Sequence, residues 1–300
     1  MQQSDQVQYD LPSNSSELML QISQCHNLML LDKAYEILQF YMTRHNQDKD
    51  NFPINKDLFH EIQTFHKEAT FLKQQLSDNK DWIHDCNTQY FQMSYKFIPN
   101  SSNVALKFES VMKLPIINAC ALIYQTELFN NWVPFCKVSK ALKTPGLGHK
   151  ICYIMMDLPV LSNREAYIRG YGVDKLEQSK SFLICCQTIH HDKEYQTLHQ
   201  INTTQTNCVQ VEINFFAVEV TLVNAGEFVM KSVANLDPKM KFIPQTVMNF
   251  LMKKIGKFMY ERFCKLAQNI KGTQWEKAIQ EQPQFYEHVR KRFEQYLSKY

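Results

Sequence analysis

Cys185–Cys186 and His190–His191 are the first residues that chemistry would single out, because thiolates and imidazoles bind metals and move protons. Both pairs fall in a stretch, 180–191, that alternates like a β-strand. Neighbours on a strand point to opposite faces, so neither pair can readily close on one metal ion. No CxxC, HExxH or GxSxG pattern occurs. "PGLGHK" (145–150) has two glycines and a lysine but not the spacing of a phosphate loop, and reads as a hairpin turn. Glu109, Glu212 and Glu219 sit in strand-like runs without a visible partner for acid–base work. The reading is a protein that is not an enzyme and takes no metal or nucleotide cofactor.

Composition narrows the class. A chain of 300 residues, 44% hydrophobic, can bury one large core with a small second module. The net charge of +3 is spread out rather than blocked, which argues against a nucleic-acid binder. No apolar run is long enough to span a bilayer. "MQQSDQVQYDLPSNSS" lacks the basic start and apolar stretch of a secretory signal, so a cytoplasmic location is expected, peripheral at membranes. The nine cysteines then read as reduced, mostly buried small hydrophobes.

The elements follow from periodicity. After a disordered tail (1–16), residues 17–45 read as a helix, with Leu28, Leu31, Tyr35, Leu38 and Met42 three and four apart. A second helix covers 57–76, where Leu58, Ile62, Phe65, Ala69, Leu72 and Leu76 form one narrow seam suited to packing on another helix. The two make an N-terminal helical hairpin (17–79). From residue 80 the period becomes two. "YFQMSYKF" and the run through Val104, Leu106, Phe108 and Met112 form a hairpin; "IINACALIYQTELFNNW" interrupts it as a short helix. Strands follow near 134–143, 149–157, 164–173, 180–191, 207–223 and 226–236, with 192–206 as a long polar connection. A long helix covers 243–271, striped by Ile243, Val247, Leu251, Ile255, Met259, Phe263, Leu266 and Ile270.

One strand changes parity. Val209, Val211, Ile213 and Phe215 are odd-numbered, whereas Phe216, Val218, Val220 and Leu222 are even-numbered. A strand of this length must bend, and a bulge that inserts one residue both bends it and flips the parity. The bulge is expected at Phe215–Phe216. The fold class is therefore α+β, a curved antiparallel sheet wrapped around a long C-terminal helix, with a space between them lined from both sides.

At this point the chain resembles the START lipid-transfer domains, which have the helix-grip fold. "FNNWVPF" (129–135), "DLPVLSNREAYIRGYG" (157–172) and "SVANLDPKMKFIPQTVMNFLMKKIG" (232–256) carry the resemblance, over about residues 80–272. It implies one lipid or sterol held between sheet and closing helix. Two headgroup devices of the family are absent. The acid–arginine pair of sterol binders corresponds to Ile151 and Gly170, and the arginine of phosphatidylcholine binders corresponds to Phe129.

Candidate lining residues are Tyr153, Met155, Arg164, Tyr167, Phe215, Phe216, Met248, Leu251, Met252 and Ile255. Methionine suits a flexible chain, and a few hydroxyls set orientation in an apolar cavity. Arg164 reads either as an anchor for a lipid polar group or as an ion pair with Glu165 or Asp157. Trp132 reads as packing. In the C-terminal helical tail (273–300), Tyr286, Val289, Phe293 and Tyr296 form a stripe beside Arg290, Lys291 and Arg292. From 253 to 300 there are eleven Lys/Arg against five Asp/Glu, which fits either contact with an anionic membrane surface or a solvated helix capping the domain. The favoured function is a lipid carrier or sensor with a lipid ligand and a transient membrane partner. One alternative is a scaffold protein that meets a protein partner through its N-terminal helices, and the third is an enzyme acting on an apolar substrate.

Overall fold

In the computed structural model of the protein, the described residues are 15–45, 55–88, 90–159, 161–203, 206–224, 226–240 and 255–298. The first elements among the described residues are three helices: α1 (Ser15–Asn27), α2 (Leu31–His45) and α3 (Lys56–Ser77). The single helix expected over 17–45 is broken between α1 and α2, where Met29 has φ of +64°. Packing explains the break. Met29 is buried against Gly148 and Gly172, where an added Cβ would run into its side chain, and its carbonyl accepts from the Asp174 N–H at 2.8 Å. The kink delivers Met29 to the end of the sheet while Leu18, Ile22, Ile37 and Leu38 stay buried among the helices. α3 is capped by Asn55, whose side chain accepts from the Asp57 N–H. Its seam residues Ile62, Phe65, Ala69, Leu72 and Leu76 are all buried, packing on the sheet as well as on α1 and α2.

Ten strands form one sheet: β1 (Ile83–Asn87), β2 (Phe91–Phe97), β3 (Val104–Met112), β4 (Cys136–Gly146), β5 (His149–Met156), β6 (Arg164–Lys175), β7 (Ser181–Thr188), β8 (Val209–Gln210), β9 (Glu212–Asn224) and β10 (Glu227–Asp237). The order is β1-β2-β3-β10-β9-β7-β6-β5-β4, antiparallel throughout, and β8 joins the start of β6 in parallel. α4 (Ile116–Tyr124) and a 3₁₀ turn (Thr126–Asn131) link β3 to β4. α5 (Leu176–Ser179) joins β6 to β7, and α6 (Lys193–Leu198) lies in the long connection expected over 192–206. The edge strand β1 is also absent from the sequence reading. After the sheet come α7 (Lys257–Gln268), α8 (Gln274–Glu281) and α9 (Pro283–Leu297), with Pro283 in the first turn. The first part of the helix expected over 243–271 lies outside the described residues.

The bulge exists, and the ladder places it one residue before the expected site. Asn235 pairs with Phe215 but Leu236 pairs with Ile213, so Asn214 is the inserted residue. An asparagine tolerates that position because its amide donates to the Asn235 side chain at 2.8 Å. Ile213 and Phe216 consequently share a face, and Phe215 points the other way.

Cross-strand register sorts the whole sheet into two faces. Even-numbered residues of β3, β5, β6, β7, β10 and the later part of β9 lie on one face, joined by odd-numbered residues of β2. We call it the C face, because Phe182, Val218, Leu222 and Phe228 pack there with Phe263, Ala267, Phe285 and Phe293 of the C-terminal helices. The opposite N face carries Tyr171, Val173, Leu183, Ala217 and Val233, covered by α1–α3. Both faces are buried, and the sheet is the middle of three layers. α9 is part of this packing. Phe285, Tyr286, Val289, Phe293 and Tyr296 are buried, and Arg292 pairs with Asp174 at 2.5 Å.

Candidate functional site

The C face is where a ligand could sit beneath the closing helix, so its side chains define the candidate site. Across the sheet most of them are apolar. Phe91 and Tyr95 on β2 are followed by Phe108 on β3, Met230 on β10, Phe216 on β9 and Ile154 on β5. Tyr260 of α7 stacks on Phe91 at 4.6 Å between ring centres, which ties the helix to the β2–β3 end. Trp132 lies 5.6 Å from the Phe263 ring and packs the lower end, as expected. One buried cation and one buried acid on this face are compensated. Lys150 reaches the Tyr124 carbonyl at 2.9 Å and Glu127 at 3.3 Å, and Arg292 holds Asp174. Arg164 is the remaining charge.

The proposed lining residues are divided by the sheet. Arg164 and Phe216 lie on the C face, and Ile255 stands half-buried in the π-helical residues that lead into α7. Met248, Leu251 and Met252 fall outside the described residues, as does much of the helix that would close the expected space. Tyr153, Met155 and Tyr167 lie instead on the N face. They are brought together there. Tyr153 and Tyr167 are directly paired with rings 4.9 Å apart, and the connection carrying α6 covers them through Tyr195 and Ile201. The Tyr153 hydroxyl donates to Glu165 at 2.9 Å. Phe215 also faces the helical layer, 5.4 Å from the Phe71 ring, because the bulge precedes it. The sequence reading missed Ile154 and Met156, which the β5–β6 register puts on the C face opposite Ala166 and Arg164. The available signal was the alternation itself, once one strand had been assigned a face.

The N face holds a second buried constellation. Arg169 pairs with Glu68 of α3, and Tyr171 and Gln187 donate to the same carboxylate at 2.9 and 3.2 Å. Beside it, Glu61 Oε1 lies 3.5 Å from His149 Nδ1 and 3.9 Å from His199 Nε2, and His149 Nε2 meets the Tyr195 hydroxyl at 2.6 Å. Burial pushes the Glu61 carboxyl up to about 7, with Arg169 opposing and Asp57 adding to the rise. Burial likewise holds His149 well below its ordinary value, lowers His199, and brings His26 down to about 4. A cavity of about 20 Å³ between His26, Phe65, Gly148, His149 and Tyr171 has room for one water. This is a docking interface between α3 and the sheet. No group of three or more His, Cys, Asp or Glu side chains among the described residues is placed to hold a metal ion.

The residues first considered for chemistry have structural partners. His190 Nε2 meets the Val211 carbonyl at 2.8 Å, and burial raises both the Cys185 and Cys186 thiols, the latter to about 12. Glu109 pairs with Lys231 at 3.2 Å, Glu212 with Lys239 at 2.8 Å, and Glu219 with Lys73. Ile151 and Gly170, the positions of the sterol-type ion pair, lie on opposite faces.

No family profile and no curated protein sequence matches the chain. Solved structures do. Human StAR-related lipid transfer protein 5 superposes with a TM-score of 0.57 at 9% identity, covering 68% of this chain and 95% of that one. Human STARD10 gives 0.56 at 14% identity, covering 75% and 86%. The StAR-related lipid transfer protein (fragment 25–204) of Xanthomonas axonopodis gives 0.50 at 12% identity, covering 63% and 99%. At these identities the likeness establishes the fold, a START-like helix-grip domain.

Proposed function

We propose that this protein holds a single lipid or sterol between the C face of its sheet and the closing helix, and carries it between membranes or senses it without catalysing a reaction. The observation that carries the reading is the C face itself. Apolar side chains run across it from β2 to β5 around a few buried polar groups, and the C-terminal helices pack over it. Two of the similar structures bear the names of lipid transfer proteins, which supports a lipid as the occupant. The energetics suit uptake, since each buried CH₂ of an acyl chain contributes about 0.8 kcal/mol. Working from the cytoplasm, the protein would meet membranes transiently. No described helix is long and apolar enough to cross one.

The α1–α3 layer gives less support to a scaffold function, because its seam is spent on the N face. Native mass spectrometry of protein purified from cells tests the proposal. A retained adduct of defined lipid mass, released on denaturation, is expected. Protein that is empty after purification and takes up no lipid from vesicles would refute it.

A further inference from the structure

Among the described residues, the other buried Lys and Arg side chains have acids: Arg169 has Glu68 and Lys150 has Glu127. Arg164 has none among them. It opens β6, is 8% exposed, and points to the C face opposite Met156. Its Nη1 donates to the Ser162 carbonyl, which holds the guanidinium against the loop, and its buried Nε–H has no acceptor. The two acids nearest in sequence are engaged elsewhere. Glu165 lies on the opposite face, where Tyr153, Thr206 and Gln210 donate to it at 2.9, 2.7 and 3.4 Å. Asp157 is exposed and takes Lys137 at 3.5 Å. The stretch 241–254 contains no Asp or Glu in its sequence.

A buried guanidinium without a counter-charge is costly, and its planar fork matches a carboxylate or phosphate in two parallel hydrogen bonds. The same-face neighbours Met156, Ile154 and Ala166 are apolar, so an anion arriving there would bring an apolar body with it. We infer that Arg164 binds the anionic head, carboxylate or phosphate, of an acyl lipid whose chain lies along the C face. The inference rests on the carrier reading and adds the class of ligand.

The test uses the full chain and two fluorescent probes with the same tail, cis-parinaric acid and the corresponding alcohol. The acid is expected to bind at least tenfold more tightly, and Arg164→Gln should bring the ratio close to one, with Arg164→Lys in between. Lysophosphatidic acid should displace the acid, whereas millimolar inorganic phosphate should not. Displacement by inorganic phosphate would mean a free-anion site and overturn the lipid-head assignment. Equal binding of acid and alcohol by the unaltered protein, or an undiminished preference in Arg164→Gln, overturns the inference and leaves the carrier reading standing. If neither probe binds, the inference falls, and lipid uptake from vesicles decides the carrier reading separately. Should Arg164→Gln fail to fold, the acid-to-alcohol ratio of the unaltered protein decides alone.

Discussion

Glu61 concentrates the electrostatics of the docking interface in one side chain. Its carboxyl rises from an ordinary 4.5 to about 7 when the protein folds, mainly through burial. A group raised in this way adds stability that is complete below about pH 4.5 and is lost as pH climbs through 7. The buried histidines act in the opposite direction. His26, His149 and His199 are all lowered, so stability falls as pH drops below about 6.5 and unfolded histidines take up protons. Both effects fall between about pH 4.5 and 7 and oppose each other there, with Glu61 losing on the order of 3 kcal/mol over that span while the histidines gain stability. Glu61→Gln should therefore make thermal stability rise more steeply with pH between about 4.5 and 7. An unchanged slope in the variant would show that Glu61 does not oppose the histidines there.

At the scale of elements, α9 carries two very different sets of charge. Arg292 reaches back to Asp174, whose side chain is only 1% exposed, while Arg290 and Lys291 are exposed. Arg292→Met would strand a buried carboxylate, at a cost of about 3–5 kcal/mol. Arg290→Gln should change stability by less than about 0.5 kcal/mol. Denaturant titration of the two variants separates these cases, and equal effects would contradict the assigned pairing. Membrane contact by this tail would fall to Arg290 and Lys291, because Arg292 is already committed. The stripe on α9 was legible from Tyr286, Val289, Phe293 and Tyr296 at helical spacing. Its destination was not, because periodicity reports that a face is apolar and not what covers it.

For the whole molecule, the sheet is apolar on both sides and needs both helical layers. A chain beginning at residue 80 would uncover Tyr171, Val173, Leu183, Ala217 and Val233 and would deprive Arg169 of Glu68. It is expected to aggregate, or to lose its cooperative transition, when followed by light scattering and circular dichroism. A monomeric truncated chain unfolding at the full-length temperature would show that the N-terminal layer is an accessory. The kink at Met29 belongs to the same scale. Nothing in the run from 17 to 45 breaks the helical pattern, and the break arises because Met29 must meet Gly148 and Gly172, more than a hundred residues away.

The sequence by itself determined the alternation of the strands, the helical stripes and the presence of a bulge, since each is a local periodicity written in neighbouring residues. It also determined that Tyr153, Met155 and Tyr167 keep company, and the register pairs Tyr153 with Tyr167. Tertiary structure decided which side of the sheet that company faces. Alternation divides a strand into two sets of side chains and labels neither, so only the packing of α7–α9 on one face and α1–α3 on the other assigns them. The same holds at Asn214. A bulge moved by one residue leaves the pattern of apolar residues almost unchanged, yet it turns Phe215 from the C face to the N face. Arg164 shows the reverse dependence: its position was legible in the sequence, and only the fold settled which acids it could not reach.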